Sequence, residues 1–193
     1  HVANTMPQPY YRFDGSDDYI SMASPADLDN TFDYGGSVGA WIYPISDGES
    51  NNGTIIGKYV GYFMNVVGES GNYVKINFQH QFDGGNGNWQ STNAIIPLNA
   101  WTHIAVTYDN GDVNNNPTIY VNGVAIDSSD ITEVTPVGTR QDDSSANFVI
   151  GSLTTAGDWA FDGFINGIRS FNNALTAAEV KELYSGASVP FKY

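Results

Sequence analysis

Short segments in which apolar and polar side chains alternate, separated by glycine- and asparagine-rich turns, constrain this chain more than anything else in it. In residues 73–79, Val74, Ile76 and Phe78 alternate with Lys75, Asn77 and Gln79. That period of two belongs to a strand with one dry and one wet face. Thr118–Val121 runs into Asn122-Gly123 and then into residues 124–126. A type I′ hairpin needs positive φ at two successive residues, and Asn-Gly supplies it. Further strand signals lie at 10–13, 37–43, 54–58, 61–67, 101–108, 147–150 and 163–171. Pro44, which has no ladder donor, ends the segment at 37–43. Residues 68–72 (Gly-Glu-Ser-Gly-Asn) have the composition of a hairpin turn. In 101–108 both faces read as covered: Thr102, Ile104, Val106 and Tyr108 stand on one, Trp101, His103, Ala105 and Thr107 on the other.

One helix is expected near the C-terminus. Thr176 caps it, Glu179 closes a capping box, Leu175 and Val180 form a hydrophobic staple, and Gly186 stops it. About ten to fourteen short antiparallel strands must close on themselves, because an open sheet of that size leaves its edges bare. A wet face on each strand favours two stacked sheets. The predicted fold is therefore all-β, a two-sheet antiparallel sandwich. At 193 residues the chain makes one domain over 10–193, with 1–9, which contain Pro7 and Pro9, read as a linker or N-terminal arm.

Seven basic against twenty-one acidic residues give a net charge of −14, which repels phosphate backbones and anionic headgroups. Nucleic-acid and membrane-surface roles are excluded on that ground. With 41% hydrophobic residues the acidity decorates a folded chain. The absence of cysteine removes disulfides, thiolate metal sites and a cysteine nucleophile. No apolar run approaches the roughly 18 residues of a membrane span, and the first ten residues lack a signal peptide's charged and apolar regions. The sequence reads as a mature or excised soluble module.

Several stretches carry a family pattern: Phe13-Asp14-Gly15-Ser16-Asp17-Asp18-Tyr19-Ile20; residues 37–44; Trp101-Thr102-His103-Ile104-Ala105-Val106-Thr107-Tyr108; and Thr118-Ile119-Tyr120-Val121-Asn122-Gly123. The most specific are Phe148-Val149-Ile150-Gly151 and residues 164–176 leading into the helix. In this order they span about residues 10–185, and the chain resembles the laminin-G-like, concanavalin A-like jelly-roll family. The resemblance implies a jelly-roll sandwich with one short C-terminal helix. It implies little about activity, because lectins, adhesion modules, pentraxins and polysaccharide-cleaving enzymes share this fold.

Glycoside hydrolysis needs two carboxylates at a fixed separation. The sandwich glucanases carry them as Glu-x-Asp-x-Glu on one strand, a pattern missing here. Glu49, Glu69 and Glu133 read as loop residues, and Glu179 and Glu182 lie on the helix. A lyase would have to be assembled from His80, Gln79 and Arg140, whereas His103, in the family's Trp-x-His strand, reads as a packed structural histidine. A non-enzyme is expected.

Calcium takes six to eight hard oxygens. The resemblance implies a structural calcium joining Asp14 or its neighbours, the Gly35-Gly36 turn and Asn166, where relatives often carry aspartate. Calcium is the expected cofactor, with Asp14, Gly36 and Asn166 as its residues. The pentraxin double-calcium pattern is missing: Val60-Gly61 and Leu153-Thr154-Thr155-Ala156 occupy its positions. Residues 109–116 read as a polar hairpin loop without the bidentate glutamate of an EF-hand.

Sugar recognition pairs an aromatic face with amides or carboxylates that fix hydroxyls. The polar face of 73–79 and the loop 81–89 offer that mixture. In relatives the loop after Phe148 reaches the same end of the sandwich as 81–88. The predicted receptor therefore comprises Asp83, Asn86, Asn88, Trp89, Asp158 and Trp159, with Tyr62 outlying. Trp41 and Trp101 belong to the core by the family pattern. The expected function is a non-catalytic, calcium-associated recognition module of adhesin type, from a larger bacterial extracellular or cell-surface protein. Its partner is a cell-surface or environmental glycan, or a protein or peptide receptor, bound through loops at one end. The alternatives are a carbohydrate-binding appendage of a polysaccharide-degrading enzyme and, further off, a polysaccharide lyase or hydrolase.

Overall fold

The structure, a computed structural model, describes residues 9–186. All but the last residue of the expected N-terminal arm lies outside the described residues. In chain order the strands are β1 (Tyr11–Asp14), β2 (Ile20–Met22), β3 (Gly36–Pro44), β4 (Asn52–Lys58), β5 (Tyr62–Ser70), β6 (Tyr73–His80), β7 (Gly87–Ser91) and β8 (Ile96–Pro97). They continue as β9 (Thr102–Tyr108), β10 (Thr118–Val121), β11 (Val124–Ala125), β12 (Ile131–Val134), β13 (Phe148–Ile150) and β14 (Asp162–Phe171), followed by helix α1 (Ala177–Ser185). A six-stranded sheet has the order β1-β14-β3-β9-β10-β11, and an eight-stranded sheet the order β12-β7-β6-β5-β4-β13-β2, with β8 also pairing β6. The strand pairs are antiparallel. The expected two-sheet jelly-roll sandwich is the fold observed.

The alternation that predicts the strands also builds the core. Tyr62, Met64 and Val66 of β5 and Val74, Ile76 and Phe78 of β6 face Val38, Ala40 and Ile42 of β3 and Ile104, Val106 and Tyr108 of β9 in one buried cluster. Each large side chain so buried contributes about 1.5–3 kcal/mol. The other face of β9 is covered as well: Ala105 packs with Tyr120, Leu175 and Val180 under α1. That helix has the expected ends. Thr176 accepts from the Glu179 amide while the Glu179 carboxylate accepts from the Thr176 amide, and Gly186 closes it at φ 73°. Asn122 and Gly123, at φ 50° and 76°, make the predicted hairpin turn.

Four elements depart from expectation. β2, β8 and β12 are too short to show a period, and β7 begins inside the segment read as a loop. Pairing with β6 (Phe78 opposite Trp89, Gln79 opposite Asn88) makes β7 a strand despite its flanking glycines.

Candidate functional site

The dry sides of β4–β7 line the core, so their alternate residues stand on the outer face of the eight-stranded sheet. Register lines them up in rows across the strands. One row carries Gly57, Phe63, Gln79 and Asn88, flanked by Val149 and Val134. The next carries Thr54, Asn65, Asn77, Gln90 and Thr132, and a third Asn52, Val67 and Lys75. Strands about 4.8 Å apart with a rise of about 3.3 Å per residue place neighbouring rows about 7 Å from each other. The result is a floor of amides with no carboxylate at any of these β4–β7 positions.

The amides form a directional chain. Asn77 Nδ2 donates to Asn65 Oδ1 at 2.9 Å, and Asn65 Nδ2 to Asn52 Oδ1 at 3.4 Å. Because every link donates the same way, the acceptor at the head of the chain, Asn77 Oδ1, is left without a partner; the Thr54 hydroxyl, in the same row, also lacks one. Buried polar atoms without partners are rare and costly. Asn77 Oδ1, on the outward side of β6, is the candidate contact for a ligand, whereas Thr54 is fully buried beneath the strap, where it bridges to Ala160.

An aromatic wall stands beside this floor. Trp159 packs its ring against Phe63, with centroids 5.6 Å apart and planes at 73°. Its backbone is left-handed at φ 55°, a strained state for a bulky residue. The strap at 151–160 holds it there. The Trp159 carbonyl accepts from the Thr54 amide at 2.9 Å, and the Asp158 carbonyl accepts from the Leu153 amide at 2.9 Å. The Ser152 hydroxyl bonds the Thr154 and Asp158 carbonyls at 2.9 and 2.8 Å. The strap crosses the sheet at Gly57, where a Cβ would stand 3.3 Å from the Leu153 carbonyl oxygen.

The predicted receptor residues are divided by this geometry. Asn88 and Trp159 share the outer face, and Asp158 sits in the strap, accepting from the Thr154 hydroxyl at 2.6 Å. Asp83 and Asn86 lie past the far end of β6 and brace their own loops: Asp83 accepts from the Thr139 amide at 2.7 Å, Asn86 from the Phe82 amide at 3.1 Å. Tyr62 and Trp89, 0% and 1% exposed, face the core and do not reach the surface. The expectation that the loop after Phe148 joins 81–88 at one end is corrected by the direction of β13. Val149 pairs with Gly57 and Ile150 with Ile56, so the chain leaves toward Ile55 and Thr54, away from the His80 end. Asn65, Gln90 and Phe63 went unrecognised, because only cross-strand register sets them beside the polar face of β6.

The enzyme candidates are likewise placed. His80 points inward among Phe32, Tyr62 and Tyr108. One ring nitrogen meets the Gln81 carbonyl at 3.3 Å and the other the Asn110 side-chain amide at 3.0 Å. Burial lowers its pKa to about 4, and burial does the same for His103, which packs against Trp41. Contrary to the loop reading, Glu69 and Glu133 lie on strands. Glu133 accepts from the Asn116 side chain at 2.8 Å, and that same amide accepts from Trp89 Nε1 at 2.9 Å.

The expected calcium set is not assembled. Asp14 stands opposite Asp162, Asn166 opposite Trp41, and Gly36 opposite Tyr108, beyond the Ser37–Phe171 pair. Asp14 and Gly36 thus occupy opposite ends of the sheet, about 25 Å apart along β3. Gly36 serves backbone approach, since a Cβ there would meet the Thr31 carbonyl oxygen at 2.0 Å. The carboxylates of Asp14, Asp17 and Asp18 do gather within 4.8 Å of one another on the surface. Asp14 accepts from the Ser16 amide at 2.9 Å and Asp18 from the Asp14 amide at 3.1 Å, as in a self-bonded turn.

Among solved structures, domain 4 of the extracellular arabinanase AbnA from Geobacillus stearothermophilus, determined with arabinotriose, is 24% identical; the match covers 94% of this chain and 79% of that one at a TM-score of 0.60. A SAP-like pentraxin from Limulus polyphemus is 16% identical, with 89% and 83% covered at 0.57. The binding domain of Botulinum neurotoxin DC, determined with SialylT, is 12% identical, with 88% of this chain and 39% of that one covered at 0.58. At these identities the likeness is one of fold. No curated protein sequence matches the chain. The family model for the concanavalin A-like lectin/glucanases superfamily matches residues 14–181. The chain therefore belongs to the concanavalin A-like lectin/glucanase superfamily.

Proposed function

We propose that this domain is a non-catalytic glycan-recognition module whose ligand lies on the outer face of the eight-stranded sheet, against Trp159 and over the amides of β5–β7. The observation that carries this reading is the pairing of a strained, strap-held tryptophan with an amide row that ends in an unpartnered acceptor. A pyranose or furanose ring offers an apolar face to the indole and hydroxyls to Asn77, Gln79, Asn88 and Gln90. The outward positions of β4–β7 hold no carboxylate pair, and His80 is buried and neutral, so this face has the parts for binding and lacks those for glycoside cleavage.

The module reads as part of a larger extracellular or cell-surface protein. Adhesin and enzyme appendage are the two settings, and the arabinanase domain solved with arabinotriose favours the second. Calcium enters as a separate structural proposal, because the sugar-facing residues include no cation ligand set. The test is calorimetry and array binding against arabinan, xylan, glucan and sialylated oligosaccharides, alongside a peptide array. Trp159→Ala and Asn77→Ala should each weaken the best glycan at least tenfold while leaving the fold intact by circular dichroism. Undiminished binding in both variants, or binding only to peptides, would overturn the reading.

A further inference from the structure

Lys75 is the one charged side chain in the three outward rows of β4–β7, near the exposed Glu69 where β5 bulges past Val67, and it makes no ion pair among the described residues. Three other basic residues are neutralised by partners: Arg12 by Asp162, Lys58 by Asp29 and Asp143, and Arg140 by Asp33. Lys75, like Arg169 and Lys181, forms no ion pair among the described residues, and of these three it is the one that stands on the amide floor, in a chain of net charge −14. The general field repels anions, whereas this face carries a local positive centre. Tyr73, 48% exposed, stands two residues earlier on the same side of β6 and supplies a second ring surface next to the ammonium.

Lys75 lies opposite Val67, and Phe63, the support of Trp159, is four residues further along β5. The two ends of the floor are therefore about 13 Å apart. That separation exceeds one sugar ring and suits a short oligosaccharide. Asp158 places a carboxylate beside the Trp159 end. An anionic sugar unit is disfavoured there and favoured at Lys75.

Resting on the glycan reading above, we propose that the ligand is an acidic oligosaccharide: one ring stacks on Trp159, and a uronate-type carboxylate, displaced along the chain, pairs with Lys75 beside Tyr73. The interaction is a charge-assisted hydrogen bond at a half-exposed site, so its effect on affinity is modest and depends on salt.

The experiment is calorimetric titration of the folded domain with oligogalacturonate, oligomannuronate and a glucuronate-bearing xylo-oligosaccharide, each beside its neutral methyl ester. A panel of neutral oligosaccharides is run in parallel. The expected result is that at least one acid binds about three- to tenfold more tightly than its ester. That preference should vanish in Lys75→Gln and shrink between about 0.05 and 0.5 M NaCl. Equal binding of every acid and its ester, with both lost in Trp159→Ala, would overturn the acidic-ligand proposal and leave the glycan reading standing. No binding of any oligosaccharide, charged or neutral, would overturn both.

Discussion

At the residue scale the buried charges and the strained tryptophan carry the sharpest consequences. Lys58 Nζ, fully buried, donates to Asp29 Oδ1 at 2.6 Å and to the Asp143 carbonyl and Oδ1, each at 2.7 Å. Lys58→Met strands the Asp143 carboxylate in the interior and should cost about 3–5 kcal/mol in denaturant unfolding. Adding Asp143→Leu should recover part of that loss, since removing both partners avoids the unpaired charge. The two buried histidines set an acid limit. With folded pKa values near 4 against an ordinary 6.5, the unfolded chain binds more protons between these values. Stability therefore rises with pH through this window and falls on acidification from about pH 6.5 toward pH 4, by on the order of 2 kcal/mol per histidine. Urea unfolding at pH 7 and pH 4.5 checks this, and His103→Gln should flatten the slope. Trp159→Gly removes a left-handed strain of about 1–2 kcal/mol and a ring contact of about 0.5–1.5 kcal/mol. Stability should shift by less than about 1 kcal/mol while sugar binding is lost.

At the scale of elements, α1 and the strap differ in kind. The helix was legible from Thr176, Glu179 and Gly186, because caps act over one turn and need no distant partner. It packs on the six-stranded sheet, where Tyr184 stacks on Trp41 with centroids 5.6 Å apart. Thr176→Ala should cost about 1 kcal/mol by thermal unfolding and leave glycan affinity unchanged, since the amide floor lies on the other sheet. The strap at 151–160 could not be located from its own residues. Its course follows from β13 pairing Val149 with Gly57, a contact between segments far apart in sequence. β7 was obscured for a related reason: Gly85, Asn86 and Gly87 look like a turn until β6 supplies a ladder.

For the whole molecule, charge and closure act together. Acidic side chains spread over the surface leave the three outward rows of β4–β7 without a carboxylate, with Glu69 and Asp158 at their margins. Calcium removal should consequently spare the sugar site: affinity measured by calorimetry in EDTA should match that in calcium, whatever the melting temperature does. A chelator that abolished binding would place a cation in the contact. The sequence by itself determined the two-sheet sandwich and the capped helix, because period, turn chemistry and caps are written within a few neighbouring residues. Trp41 and Trp101, expected in the core, are instead half-buried on the outer side of the six-stranded sheet, Trp41 against Tyr184 of α1. The sequence also named part of the proposed site, the wet face of β6 with Asn88 and Trp159. Only the tertiary structure decided that Tyr62 and Trp89 point inward, that Asp14 and Gly36 lie at opposite ends of a sheet, and that Asn65, Asn77 and Gln90 form one row. Those facts depend on which strand pairs with which and in what register, and one residue of slip would turn every side chain to the opposite face.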